Sequence, residues 1–307
     1  MSSARKTEAG MKAVALGEAG LGTLDISRPE PRRGEVLIRV RAAGVTPTEL
    51  LWAPTTKGRE GMPRPFPVIP GHEFSGEIIS VGEDVSGVAP GDEVYGMNDW
   101  YSQGTQAEFC TAPAAWIAPK PVTIDHATAA VIPISALTAW QGLIGRCNLS
   151  AGQHVLIHGA AGGVGLFAVQ IARWRGARVT ATASAHNLDF VRILGADEVV
   201  DYRASRFELV VLKADVVFDT VGGETLVRSR DVLKPEGRLV TIAAGEERPG
   251  NAEFFIVEPD RGQLIEVAGL IDRNVLRAFV DGRFTLGDPR AAYGHKPRHG
   301  KAVFQID

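Results

Sequence analysis

The run Val155-Leu156-Ile157-His158-Gly159-Ala160-Ala161-Gly162-Gly163-Val164-Gly165 restricts this chain more than any other stretch. An apolar strand enters a glycine turn, and Leu166-Phe167-Ala168-Val169-Gln170-Ile171-Ala172 follows with the composition of a buried helix. A dinucleotide pyrophosphate needs this order. The main chain must approach the phosphates closely, and a helix N-terminus must offer unpaired N–H groups. Gly162 and Gly165 occupy the second and third places of G-x-G-x-x-G, with Ala160 at the first. An ordinary parallel α/β domain with a tight turn is the alternative reading of the same residues.

The next 20 residues bear on the nucleotide. Gly176-Ala177 breaks the helix, and Arg178-Val179-Thr180-Ala181-Thr182-Ala183-Ser184 reads as a strand. A coenzyme without a 2′-phosphate commonly meets an Asp or Glu about 20 residues beyond the glycines, bonded to its ribose. Here stand Ala183, Ser184, Ala185, His186 and Asn187, with no acid before Asp189. A carboxylate repels a phosphate, so its absence is compatible with NADP(H), while NAD(H) stays open.

At 307 residues, two domains of ordinary size fit. An apolar share of 45% and a charged share of 22% are those of a soluble globular protein. The net charge of −3 gives no electrostatic reason for nucleic acid or an anionic membrane as partner. Cys110 and Cys147, few and far apart, suit a reducing cytoplasm. No apolar run reaches the roughly 18–20 residues of a membrane helix, and residues 1–10 lack the apolar core of a signal peptide. They read as a short extension, and a cytoplasmic protein is the expectation.

The first third is β-rich. Residues 12–16, 24–26 and 35–41 are strand-like, the last alternating Val36, Ile38 and Val40 with Leu37, Arg39 and Arg41. Five prolines (Pro54, Pro63, Pro65, Pro67 and Pro70) forbid a long helix over 54–70, and a loop of that length is often functional. Residues 124–143 look helical in two pieces broken at Pro133. Strand candidates then recur at 154–158, 178–182, 198–200, 215–219 and 238–242 with helical runs between several of them. That alternation predicts an α/β fold with a doubly wound parallel sheet. Residues 260–273 read as an amphipathic helix and 302–306 as a last strand; its return to the β-rich part is one arrangement, which periodicity alone does not prove.

Several segments together resemble a known family. Gly71-His72-Glu73-Phe74-Ser75-Gly76-Glu77-Ile78-Ile79-Ser80-Val81-Gly82-Glu83-Asp84-Val85 and Pro90-Gly91-Asp92-Glu93-Val94-Tyr95-Gly96 are similar to hallmarks of medium-chain dehydrogenases/reductases. Ala42-Ala43-Gly44-Val45-Thr46-Pro47, Ala136-Leu137-Thr138-Ala139-Trp140, the glycine turn and Phe218-Asp219-Thr220-Val221-Gly222-Gly223 extend the likeness from about Met11 to the C-terminus. The chain most resembles the zinc-independent quinone oxidoreductase branch, also called zeta-crystallin-like. The resemblance implies a GroES-like β-rich catalytic domain from residues 1–122 and 256–307 around a Rossmann domain of 123–255. It also implies a cofactor in the cleft between them and a homodimer, with 253–257 as the candidate edge for pairing.

Carried over position by position, the resemblance puts Thr138 at the nicotinamide end. Ala161, Gly162, Gly163, Val164 and Gly165 fall at the pyrophosphate. Ser184 and Tyr202 match places near the adenosine 2′-phosphate. Thr46, Val221, Gly222, Ala243, Ala244, Phe255, Val257 and Lys301 match other cofactor-lining places. Asn187 stands where some members have a lysine against the 2′-phosphate, which leaves His186 or Arg203 to assist. Thr46 replaces a common asparagine, and Leu51 a tyrosine often found five positions later.

Gly-His-Glu raises zinc as the rival. A catalytic zinc takes about three converging protein ligands, and Thr46 holds the place of the first thiolate. The four-cysteine cluster of a structural zinc is also missing. No metal is therefore expected. His72 and Glu73 are read as holding the loop and the domain interface by hydrogen bonds. Nothing then lowers an alcohol pKa, so delivery of hydride to an electrophilic quinone or α,β-unsaturated carbonyl fits better. Tyr101 is a candidate proton donor and Asn98 a candidate oxygen-binding amide, with Trp52 and Phe66 as candidates for the substrate pocket. A zinc-dependent alcohol dehydrogenase and a non-catalytic NADPH-binding redox sensor are the alternatives.

Overall fold

Strand segments in this chain form a two-stranded hairpin and two larger sheets. The computed structural model describes residues 10–243, 250 and 252–307. The N-terminal strands are β1 (Gly10–Gly17), β2 (Gly20–Ser27), β3 (Glu35–Val45), β4 (Glu73–Val81), β5 (Glu93–Met97), β6 (Phe109–Pro113) and β7 (Ile117–Pro119). β1 and β2 form an antiparallel hairpin. The rest join a mostly antiparallel sheet completed by two C-terminal strands. The alternation in β3 holds for Val36, Ile38 and Val40 against exposed Arg39, but Leu37 is buried as well. The glycine-rich segments after Pro70 and Pro90, quoted above only as motifs, are β4 and β5.

The parallel sheet contains β8 (His154–Ile157), β9 (Arg178–Ala183), β10 (Glu198–Asp201), β11 (Ala214–Asp219), β12 (Leu233–Thr241) and β13 (Ala252–Phe254). Its order is β10-β9-β8-β11-β12-β13, so the direction of winding reverses beside β8. Ligands of doubly wound sheets bind at that reversal, beyond the C-terminal strand ends. Helix Gly163–Trp174 packs on this sheet with Leu166 through Ala172 all buried.

Pro133 begins a helix rather than ending one: Pro133–Trp140 carries it at N1, where no N–H is required. The short helix His126–Ala129 precedes it, capped by Asp125 accepting from Thr128 N–H. Between Pro54 and Pro70 helix is limited to part of the four-residue turn Ala53–Thr56, as the prolines dictate.

The C-terminus returns to the first sheet. After helix Arg261–Asp272, capped by Asp260, come β14 (Val280–Phe284) and β15 (Lys301–Gln305). β15 pairs antiparallel with β3, from Ala302 opposite Val45 to Gln305 opposite Ala42. Helix Arg261–Asp272 is tied to the antiparallel sheet by Tyr95 Oη donating to Leu264 O (2.6 Å) and by Arg261 Nη1 donating to Ala114 O and Ile117 O (3.1 and 2.9 Å). No helix among the described residues is long and apolar enough to cross a membrane.

Candidate functional site

The glycine turn is built by steric necessity. Gly159 adopts φ 69°, a left-handed conformation that glycine tolerates best, and turns the chain off β8. A Cβ at Gly165 would lie 2.1 Å from Gly159 O and 2.7 Å from Ala160 Cα, so helix and turn touch only because position 165 is bare. Gly162 caps the helix from an extended conformation, and its carbonyl accepts Leu166 N–H at 3.0 Å. The N–H groups of Gly163, Val164 and Gly165 precede the first intrahelical bond, so they are the unpaired donors of this N-terminus. Gly159, not Ala160, supplies the turn; the spacing rule alone missed it.

A second wall comes from the neighbouring strand ends. Asp219, buried at the end of β11, accepts Val221 N–H (3.2 Å), Gly222 N–H (2.9 Å) and Thr241 Oγ1 (2.8 Å). Burial raises the Asp219 pKa, and these three bonds oppose the shift. Gly222 lies against Ala243, whose methyl is 2.6 Å from where a Gly222 Cβ would stand. Ala244 lies outside the described residues. Phe255 and Val257 are buried on either side of exposed Ile256. Beyond β9, Ser184 Oγ is 3.2 Å from His186 Nε2. Tyr202 N–H donates to Ala183 O at 3.3 Å, bringing the β9 and β10 ends together.

The opposite wall belongs to the antiparallel sheet. Gly300 N–H donates to Ala161 O at 3.1 Å, and the Lys301 stem runs over Gly163, where a Cβ would meet its Cγ at 2.8 Å. Lys301 Nζ bonds Glu73 Oε1 in a buried ion pair. Glu73 Oε2 accepts Ile134 N–H at 2.9 Å. Gly44 leaves the room for that carboxylate, since a Cβ there would fall 2.2 Å from Glu73 Oε1. Thr138, one turn along the same helix, is buried and donates its hydroxyl to Ile134 O at 2.5 Å. Thr46 is half-buried at the head of the turn Pro47–Leu51.

His72 is buried beside this wall. Asn98 Nδ2 donates to Gln103 O (2.8 Å), which turns Asn98 Oδ1 toward His72 Nδ1 at 2.9 Å. This assigns the proton to Nδ1. Asn98 is thus employed inside the protein, orienting His72. Nε2 lies 3.6 Å from Glu49 Oε1, which also accepts Gly71 N–H at 2.9 Å. Burial drives both groups toward neutrality. The His72 pKa falls to about 4, and that of Glu49 rises to about 8 against the pull of Lys301 and the Gly71 N–H. Trp100 stands 5.0 Å from the His72 ring and 5.6 Å from Trp52, in tilted and edge contacts. Trp100 was not singled out from sequence, since it falls in no motif.

The remaining sequence candidates lie further out. Tyr101 is 37% exposed, with Arg59 over its ring at 4.8 Å and its N–H on Asp99 Oδ1 at 2.7 Å. Arg59 also pairs with Asp99. Phe66 is 53% exposed and is not among the rings that contact His72.

The donor set does not fit a catalytic zinc. Thr46 offers no thiolate, His72 commits Nδ1 to Asn98, and Glu73 is held by Lys301 and Ile134. Among the described residues no three His, Cys, Asp or Glu side chains converge as ligands. A dinucleotide does fit, because the glycine turn keeps the main chain bare and leads straight into a helix N-terminus whose first N–H groups are unpaired.

Comparison with known proteins agrees with this architecture. The family "Alcohol dehydrogenase GroES-like domain" matches residues 32–122, and "Zinc-binding dehydrogenase" matches 163–265. Quinone-oxidoreductase QR1 of Triphysaria versicolor is 37% identical over 75% of this chain and 72% of its own. An NADPH-dependent alkenal/one oxidoreductase of Arabidopsis thaliana is 33% identical over 82% and 66%. The quinone oxidoreductase of Coxiella burnetii superposes with a TM-score of 0.89 at 29% identity, covering 97% of this chain and all of that one. Against three of its curated relatives, the chain spans 57%, 62% and 66% of their length. With both halves matched and the cradle intact, the chain belongs to the medium-chain dehydrogenase/reductase superfamily, as a quinone-oxidoreductase-like member.

Proposed function

We propose that this protein is an NADPH-dependent reductase of quinones or α,β-unsaturated carbonyls that works without a metal. The observation that carries the reading is the pairing of a bare glycine turn, with its free helix N-terminus, with the aromatic cluster of Trp52, Trp100 and His72. When bound, the reduced nicotinamide supplies hydride to a carbon of an electron-poor acceptor. The protein's part is positional. Gly163, Val164 and Gly165 N–H would hold the pyrophosphate, and Thr46, Thr138, Val221, Gly222, Ala243, Phe255, Val257 and Lys301 would line the remainder.

Neutral His72 and protonated Glu49 keep fixed charge away from an apolar acceptor, while Trp52 and Trp100 offer flat faces to a planar one. Tyr101 at the rim is the proposed proton donor. Relatives named as quinone and alkenal/one oxidoreductases support this substrate class.

NADPH is preferred over NADH in this reading, because among the described residues no free carboxylate stands beside Ser184. Asp189 pairs with Arg192, and Asp201 accepts Arg203 N–H. The proposed division is 1–122 with 256–307 for the catalytic part and 123–255 for the nucleotide-binding part. A homodimer through β13 is part of the proposal, since among the described residues that strand pairs on one side only. A cytoplasmic location suits two buried free thiols.

The test is loss of reduced-nicotinamide absorbance across a panel of benzoquinones, naphthoquinones and enones, with NADPH and NADH compared. Oxidation of NADPH by members of the panel is the expected outcome. Tight NADPH binding with no acceptor reduced favours a redox sensor instead, and chelator-sensitive alcohol oxidation with stoichiometric zinc overturns the metal-free reading.

A further inference from the structure

The place beside Ser184 receives a cation from elsewhere in the chain. Arg298 lies in the C-terminal segment just ahead of β15, yet it sits against the loop Ala185–Asn187 that follows β9. Three contacts fix the segment there. Buried Asn187 donates Nδ2–H to Arg298 O at 3.0 Å. His299 stacks on Phe190, ring centroids 4.2 Å apart. Gly300 N–H bonds Ala161 O at the glycine turn. Asp281 accepts the Arg298 main-chain N–H from behind.

The guanidinium itself is little used. Among the described residues its one hydrogen bond is a long one, from Nη2 to His186 O at 3.4 Å, and no carboxylate pairs with it. An exposed arginine with a fixed main chain and free N–H groups, next to Ser184 and His186, has the donor fork that a phosphate dianion accepts.

We propose that Arg298, carried by the catalytic half of the chain, receives the 2′-phosphate of NADP(H) and sets the preference over NAD(H). The inference rests on the NADPH reading above and assigns it a residue. Asn187, uncharged and docking the segment by its amide, gives that loop no cation of its own. The competing cation, Arg203, lies with its Cζ 5.6 Å from the Tyr202 ring centroid and its main-chain N–H on Asp201. A consequence is that 2′-phosphorylated coenzyme bridges the two halves, whereas the unphosphorylated form leaves Arg298 idle.

Binding of NADPH, NADH and 2′,5′-ADP to the full chain and to its Arg298→Gln and Arg203→Gln forms, by fluorescence titration, decides it without turnover. Arg298→Gln is expected to weaken NADPH and 2′,5′-ADP by about tenfold or more, as loss of a charge-assisted contact does, with NADH changed by less than about twofold. Raising the salt should erode the NADPH preference of the unmodified protein and leave that of the variant nearly flat. Equal weakening of NADPH and NADH by Arg298→Gln overturns the proposal, since the segment then acts structurally or on the shared pyrophosphate. So does an unchanged NADPH affinity, or a preference lost only in Arg203→Gln. If the unmodified protein binds both coenzymes equally, the NADPH reading itself fails, which is visible before any substitution is made.

Discussion

Gly165 concentrates the residue-scale argument. Its missing Cβ lets the first turn of helix Gly163–Trp174 rest on Gly159 O, and both atoms in that contact belong to rigid main chain. Gly165→Ala should therefore force the helix off the turn. The expected cost is about 2 kcal/mol of stability together with loss of coenzyme binding, read by urea unfolding and NADPH titration. Gly145, where a Cβ meets open space, serves as the control for a glycine-to-alanine change in itself. Gly162 and Gly165 were legible in the sequence because spacing along a strand–turn–helix is a local property. Gly159 was not, since its requirement is a backbone angle that several residue types could have been asked to supply. Thr46 was legible too: a hydroxyl cannot replace a thiolate ligand, wherever the fold puts it.

At the scale of elements, β4 and β15 meet helices Pro133–Trp140 and Gly163–Trp174 through one buried ion pair. Glu73 answers the Ile134 N–H, an unpaired donor at its helix start, and also the Lys301 ammonium lying over the glycine turn. Removing one partner of a buried pair leaves an uncompensated charge. Glu73→Gln is thus expected to destabilise the protein by about 3 kcal/mol. The double change Glu73→Gln with Lys301→Met should regain most of that loss in equilibrium unfolding, because it removes the stranded ammonium while keeping its stem. If the double variant is no more stable than the single one, the packing around Glu73 matters and its charge does not. The sequence indicated that Glu73 holds an interface. It could not indicate Lys301 as the partner, 228 residues away.

Across the whole molecule, buried titratable groups give stability a predictable pH dependence. His72 and His158 are held neutral, with pKa values lowered to about 4 and about 3 by burial. Below about pH 6.5 the unfolded chain takes up protons that the native one refuses, so stability falls on acidification, by about 1.4 kcal/mol per pH unit for each histidine. Glu49 acts in the opposite sense. Its native pKa of about 8 stands above the ordinary 4.5, so the native state keeps a proton that the unfolded state releases, and stability falls as pH rises between those values. Glu49→Gln, which preserves the acceptor for Gly71 N–H, should abolish the decline from neutral pH to about 8 and steepen the rise between 4.5 and 6.5. Unfolding free energies of both proteins over this range check it; parallel profiles would show that Glu49 is ionised in the native state.

The sequence by itself determined the strand–turn–helix at β8, the alternation that yields a parallel sheet, the absence of a thiolate at Thr46 and the missing acid beyond β9. All of these are carried by period, spacing or residue chemistry within one or two adjoining elements. Only the tertiary structure decided that Lys301 covers Gly163, that Arg298 reaches the loop after β9, and that Trp100 and Glu49 join His72. Those meetings depend on the C-terminal strand crossing back to β3 and on which loops pack together. Such long-range placement is fixed by burial of whole faces, and no local pattern of residues records it.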